Sequence, residues 1–343
     1  MITRLKLLGA GLATAAFLVF SPVWAQAAPD LGVPTLPAPG FKKLKVGEME
    51  VIALNDGISR RTLVAEFVKN APFEEVKALL AAQNLPTHYI DIPFTPFLIV
   101  NGNQRYLMDT GFANNGGPTT GKMIENMAAA GYKPADINHV VISHFHGDHI
   151  NGLLYKDGSL VYPNAKVYVP ASEYAFWMDK ERLEKATGGL KGAMTNAQRV
   201  FNQIPADRLI KFEAGSEVAP GITSVAAFGH TPGHSLFTVR SGGQSFIYVA
   251  DLTNVPALFA RNPDWAVSFD MDPEMARQSR RKIFDMIVKE KMMAGGFHFP
   301  FPAMGTITPS GNGYQFNPMK QLGSCPPKRL TIVIYDTLGG HQV

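Results

Sequence analysis

An apolar stretch, Val140-Val141-Ile142, runs without a break into Ser143-His144-Phe145-His146-Gly147-Asp148-His149, and this junction constrains the fold more than any other part of the chain. A short β-branched run reads as a buried strand. Four metal-ligand-type side chains crowd the segment that leaves it. In extended backbone, alternate side chains share a face, so His144 and His146 can point the same way. After a turn at Gly147, Asp148 and His149 can approach a second point nearby. One loop thereby offers ligands to two ions. A helical zinc motif would need two His at i,i+4, and the sequence has no His-Glu-x-x-His.

Six of the nine histidines lie in three short segments rich in Gly or Pro. The second segment, Phe228-Gly-His-Thr-Pro-Gly-His234, holds His230 and His234 between two strands. The third, Gly295-Gly296-Phe297-His298-Phe299-Pro300, holds His298. Between them Asp251 ends an apolar strand, where a carboxylate has little reason to be unless paired. Taken singly, His234 reads as a hydrogen-bonding support. His139 reads as an ordinary surface residue, and His88 and His341 carry no role. Cys325 is the sole cysteine, so neither an internal disulfide nor a cysteine-pair zinc site can form. Any metal must be held by imidazole and carboxylate, which suit Zn²⁺ and also Mn²⁺, Fe²⁺ or Co²⁺.

The N-terminus has three parts. Arg4 and Lys6 give a basic start, residues 7–20 are apolar and uncharged, and Ala25-Gln26-Ala27 supplies a small-x-small cleavage site. That order predicts a signal peptide over residues 1–27, a periplasmic or secreted protein, and no stable membrane span after its removal. Without Arg4 and Lys6 the formal charge of +4 drops to about +2, too little to argue for nucleic acid. A Pro-rich linker follows over residues 28–40.

Strands are expected from Lys45 to Ala53, in a hairpin turning at Asn101-Gly102, from Lys166 to Val169, and at Gly221–Phe228, Leu236–Arg240 and Ser245–Ala250. Helices are expected after Pro72, over Lys122–Ala130, from a Ser172 cap to Lys185, and over Asp272–Lys289. Strands and helices alternate without a composition break, which predicts one layered α/β domain.

The motif order His-x-His-x-Asp-His, Gly-His-Thr-Pro-Gly-His, strand-end Asp, late His resembles the metallo-β-lactamase superfamily. That resemblance implies a four-layer αβ/βα sandwich and a binuclear hydrolase with two divalent ions, zinc first among them. It implies His144, His146 and His230 on one ion, and Asp148, His149 and His298 on the other, with Asp251 bridging. Asp251 and Asp148 are the expected catalytic carboxylates, and Asp109, in Leu-Met-Asp-Thr-Gly, a support of the ligand loop. An ion pair lowers the pKa of a shared water from ~16 toward ~7, so no Ser or Cys nucleophile is needed.

Further cues are similar to the methyl parathion hydrolase subfamily: Ile52-Ala-Leu-Asn-Asp-Gly57, Lys191-Gly-Ala-Met194, Phe301-Pro302 and Gly313-Tyr314-Gln-Phe316. The similarity spans residues 41–318 and leaves a tail, 319–343, without counterpart. It implies phosphotriester, lactone or ester substrates, organophosphates among them, and a homodimer. Acyl-homoserine lactonase or arylesterase activity is the alternative within this class, and a periplasmic metal-binding scaffold the alternative outside it. Trp177 matches an aromatic residue of the subfamily's substrate pocket. Two other pocket phenylalanines fall on Gly116 and Leu190, which implies a wider, less aromatic pocket. A true β-lactamase lacks the bridging Asp, a glyoxalase II carries a basic C-terminal helical region, and an RNA-processing nuclease needs a more basic face. None of these features is seen here.

Overall fold

Alternation along single strands sets the layering. In Met49–Leu54, Val51 and Ala53 join one buried cluster while Ile52 and Leu54 join another, as the two-residue period of a strand requires. Phe97 and Ile99 repeat the pattern against Leu98. A sheet apolar on both faces must be covered on both. The computed structural model describes residues 30–320 and shows what covers it.

Two seven-stranded sheets form the centre. The first runs, in spatial order, Phe41–Val46, Met49–Leu54, Phe97–Asn101, Gln104–Met108, His139–Val141, Lys166–Pro170 and Leu209–Phe212. The second runs Glu217–Ala219, Ile222–Ala226, Ser235–Ser241, Gln244–Tyr248, Met293–Gly295, Met304–Ser310 and Gly313–Pro318. Val51, Phe97, Ile99 and Met108 meet Phe237, Phe246 and Tyr248 between the sheets. On the outer face of the first sheet, Ile52, Leu98 and Val167 pack on Met123 and Met127 of helix Met123–Ala129 and on Met194 and Phe201 of helix Gly188–Phe201. Helix Pro273–Glu290 covers the second sheet with Ile283, Phe284 and Ile287. The result is the four-layer α/β sandwich.

The last four strands of the first sheet are parallel, as are Gln244–Tyr248 and Met293–Gly295 of the second. Parallel neighbours send their following loops to one end of a sheet, the usual place for a site. Asp109, Ser143–His149, Asp251 and His298 all lie just beyond such carboxyl ends. A separate two-stranded ribbon, Gly57–Thr62 with Tyr89–Phe94, stands beside them.

Several expectations change in detail. The strand expected from Lys45 to Ala53 is a hairpin, broken at Gly47 with φ +56°, a conformation that glycine adopts without strain. The helix expected from Ser172 to Lys185 is two: Ala171–Trp177, and Lys180–Lys185 capped by the Asp179 carboxylate on the Arg182 amide. Ser172 caps neither. Helix Gly188–Phe201 was not expected, since three glycines interrupt its pattern. His139 is half-buried, stacked on Tyr106 at 4.5 Å. The expected signal peptide, the first two residues of the expected linker and the tail beyond Lys320 lie outside the described residues. Among the described residues no helix is long and apolar enough to cross a membrane.

Candidate metal centre

The seven expected ligands converge on two adjoining points. His144, His146, His230 and Asp251 form one group, and Asp148, His149, Asp251 and His298 the other; within each group the ligand atoms lie within 4.8 Å of one another. Asp251 belongs to both. Its Oδ2 is 3.3 Å from His230 Nε2 and 3.0 Å from His298 Nε2, and its Oδ1 is 3.1 Å from His149 Nε2. His146 turns Nδ1 inward, 3.1 Å from His144 Nε2 and 3.0 Å from His230 Nε2. Asp148 Oδ2 stands 3.5 Å from both His149 Nε2 and His298 Nε2.

Buried polar atoms nearly always have partners. No hydrogen bond reaches His149 Nε2 or Asp251 Oδ1, although both are buried and lie 3.1 Å apart. Two cations between these groups would satisfy both atoms, and the donor set of five imidazoles and two carboxylates is chemically suited to zinc-like ions. The residues fit the metal.

Each ring except His146 is oriented from behind through its other nitrogen, as metal-binding histidines require. His144 Nδ1 meets Ser143 Oγ at 3.0 Å, and His149 Nδ1 meets Asp109 Oδ2 at 2.8 Å. His230 Nδ1 meets Asp270 Oδ1 at 3.0 Å, and His298 Nδ1 meets the Pro93 carbonyl at 2.8 Å. Asp109 supports the ligand loop as expected: it also accepts from the Ser143 amide and hydroxyl and from the Tyr248 hydroxyl. It does so with φ +59°, a conformation that Asp tolerates better than most residues. Ala250, just before Asp251, is also left-handed at φ +41°, and such strain collects where geometry is over-determined. His234 is a support too: its Nδ1 meets the Ala227 carbonyl at 2.9 Å and its Nε2 accepts from the Asp251 amide at 3.2 Å.

Burial, then the neighbouring His230, pushes the His146 imidazole down to about 3. Burial acts on His230 too, but the hydrogen bonds that its ring donates to Asp251 and Asp270 overcome it and raise that ring to about 9. Burial would also lower His149, yet Asp251, Asp148 and Asp109 hold it well above the usual imidazole range.

Two supports carried no local sequence signal. Asp270 is fully buried, and its second oxygen meets Arg280 Nη2 at 3.2 Å. Arg280 donates further to the carbonyls of Leu252, Pro263 and Trp265. Glu173, also fully buried, bonds both to the loop of His144 and His146 and to the loop of His230.

The centre floors a cleft of about 360 Å³, the size of small-molecule sites. Ile92, Phe94, Phe112 and Phe269 wall it, with Arg61, Asn151 and Asn254 as polar members. Trp177, expected in the pocket, is instead 1% exposed behind the ligand loop, its indole N–H donating to Glu173 at 2.5 Å. Neither Gly116 nor Leu190 lines the cleft, so the expected loss of aromatic wall does not follow. The phenylalanines come from the ribbon and two loops.

Residues 95–289 match the model of the metallo-beta-lactamase superfamily. An N-acyl homoserine lactonase of Bacillus thuringiensis is 24% identical over 226 residues, covering 60% of this chain and 81% of that protein. Among solved structures, AidC, a dizinc quorum-quenching lactonase captured with a product, is 28% identical with a TM-score of 0.75. AbOPH, a hydrolase in the beta-lactamase superfamily, is 26% identical with a TM-score of 0.76. Each of these two structures covers 82% of this chain, and the chain covers 98% of each.

Proposed function

Since this chain belongs to the metallo-β-lactamase superfamily and is a metal-dependent hydrolase, we propose that it opens lactones, with N-acyl homoserine lactones as the substrate class. The observation that carries this reading is the sharing of Asp251 by two ligand groups beneath an apolar cleft. The lactonases among its relatives support the choice of substrate.

His144, His146 and His230 would hold one ion and Asp148, His149 and His298 the other, with Asp251 common to both; zinc is the proposed metal. When bound, such a pair supplies Lewis acidity and a nucleophile drawn from water at neutral pH. Ile92, Phe94 and Phe112 exclude bulk water and receive an acyl chain. Arg61 and Asn151 bring N–H donors to the cleft. Asn151 Oδ1 is engaged by Asn196 and Arg199, which leaves its amide hydrogens for substrate. Among the described residues lining this cleft there is no Tyr, Lys or Cys. The carboxylate of Asp148 would take up the proton that the attacking water gives up and pass it to the departing ring oxygen, and that of Asp251 would hold the two ligand groups in register.

The test is a comparison of kcat/KM for a medium-chain N-acyl homoserine lactone, an aryl ester and a paraoxon-type phosphotriester on zinc-loaded protein. The lactone is expected to lead by ~100-fold or more, about 3 kcal/mol of transition-state preference. Hydrolysis of none of the three would overturn the substrate class.

A second reading, aryl ester or aryl phosphotriester hydrolysis, is favoured by the edge-to-face pair Phe94–Phe112, with centroids 5.0 Å apart, which suits a flat leaving group. It would take precedence if the ranking were reversed. Export from the cytoplasm rests on residues 1–27, and sequencing of the mature N-terminus should find it at Ala28. A homodimer is likewise proposed, and light scattering at twice the chain mass would support it.

A further inference from the structure

We propose that Glu173 is a positioning residue that pins together the two loops forming the His144–His146–His230 ligand group. The proposal rests on the metal-site reading above. Glu173 sits in the first turn of helix Ala171–Trp177, directly after the parallel strand Lys166–Pro170, and its side chain is fully buried. One carboxylate oxygen, Oε2, accepts from the Phe145 amide at 3.1 Å and from the Trp177 indole. The other, Oε1, accepts from the Gly233 amide at 2.6 Å. Phe145 lies between His144 and His146, and Gly233 closes the loop that carries His230.

Every one of these partners is a donor, which is the environment of an ionised carboxylate although burial itself pushes its pKa up. No basic side chain is among them, so this charge is used on backbone amides. The close approach also explains the glycine of the Thr-Pro-Gly-His segment. A Cβ on Gly233 would lie 2.5 Å from the Glu173 nitrogen and 3.0 Å from its Cγ. The loop could not seat against the helix with any larger residue. A direct backbone bond, Ser235 N to Ser143 O at 3.0 Å, adds a second tie at the base of the same two loops.

The second ligand group is oriented elsewhere, by Asp109 on His149 and by the Pro93 carbonyl on His298. Glu173 should therefore matter to one ion and not to the other. Glu173→Gln keeps the shape but puts an amide N–H₂ against donors, and titration of the metal-stripped full chain with Co²⁺ reads the consequence by visible absorption. His298→Ala and His146→Ala provide two backgrounds, crippling the second and the first group respectively. Glu173→Gln in His298→Ala is expected to weaken Co²⁺ binding ~10–100-fold and shift its absorption bands, as loss of outer partners does. In His146→Ala it is expected to change binding by less than ~3-fold, within the additivity of independent sites.

Equal loss in both backgrounds, or no loss in either, overturns the proposal. Val46→Ala, in the edge strand Phe41–Val46, is a destabilising control that should leave both titrations unmoved; if it reproduces the Glu173→Gln pattern, the role is merely structural. If Glu173→Gln does not fold, Glu173→Asp, which keeps the charge but cannot span both loops, is held to the same two outcomes. Uptake of fewer than two ions by the unmutated protein would instead defeat the metal-site reading, and so is told apart from failure of this proposal.

Discussion

The two sheets supply the metal centre in opposite ways. The first contributes one loop, in which His144, His146, Asp148 and His149 fall within six consecutive positions. The second contributes His230, Asp251 and His298 from three loops far apart in sequence. In the first, backbone geometry over a few residues does most of the placing, and two carboxylates steady the loop, Asp109 through Ser143 and His149 and Glu173 through the Phe145 amide. In the second, each ligand has its own long-range prop: Asp270 with Arg280 for His230, His234 for the Asp251 amide, and the Pro93 carbonyl for His298. A contiguous ligand set needs few supports, whereas a dispersed one needs a support for each member.

The largest expected effect comes from the residue both sheets rely on. Asp251→Ala should abolish uptake of both ions and lower kcat/KM by at least ~10³-fold, beyond the ~10–100-fold typical of outer partners; metal analysis and steady-state kinetics check it. Retention of both ions would break the idea of a shared ligand.

On the first side, a buried acid without a cation should make stability depend on pH. Burial raises the Asp56 carboxyl to about 7, against the hydrogen bonds it accepts from the Met123, Phe112 and Gly121 amides. The folded state thus holds a proton that the unfolded chain releases near ~3.9. The stability linked to this proton is complete below about pH 4 and is lost as pH rises through about 7, on the order of 4 kcal/mol in all. Urea unfolding of the parent and of Asp56→Asn between pH 4 and 8 should show that slope in the parent alone.

Asp270→Asn probes the second side. Loss of the carboxylate behind His230 should weaken one ion ~10–100-fold and spare the other. It also strips Arg280 of its counter-charge, a further cost of about 3 kcal/mol in unfolding free energy. Loss of both ions together would erase the contrast between local and dispersed support. The smallest effect is expected for Tyr248→Phe, which removes one of several donors to Asp109; about 1 kcal/mol of stability should go, with metal binding nearly intact.

This contrast also explains what could be read beforehand. The ligand loops were legible because ligand chemistry concentrates residue types in short segments, and Asp109 because Leu-Met-Asp-Thr-Gly resembles a superfamily segment, its place in a turn after a strand carrying no role by itself. The sandwich followed from alternating elements with apolar runs. Asp270 and Glu173 were not legible, since a single acid inside Ser-Phe-Asp-Met or Ser-Glu-Tyr looks like any surface acid until burial is known. The cleft wall failed for the same reason. Trp177 has the right residue type, but its helix turns it behind the ligand loop, while Phe94, Phe112 and Phe269 reach the cleft from three separate segments. The hairpin at Gly47 went unseen because Val46-Gly47-Glu48 lacks the Asn-Gly or Asp-Gly signature of tight turns.

The ribbon strand Tyr89–Phe94 has a double duty. Ile92 and Phe94 face the cleft, while the carbonyl of Pro93 between them grips His298, and the Phe94 ring lies 5.5 Å from that imidazole. Whatever presses on this wall also presses on a ligand. Refitting the cleft to a bulkier guest by altering Ile92 or Phe94 should therefore disturb the grip on the cation beneath. Along this edge, taste and reactivity would have to change together.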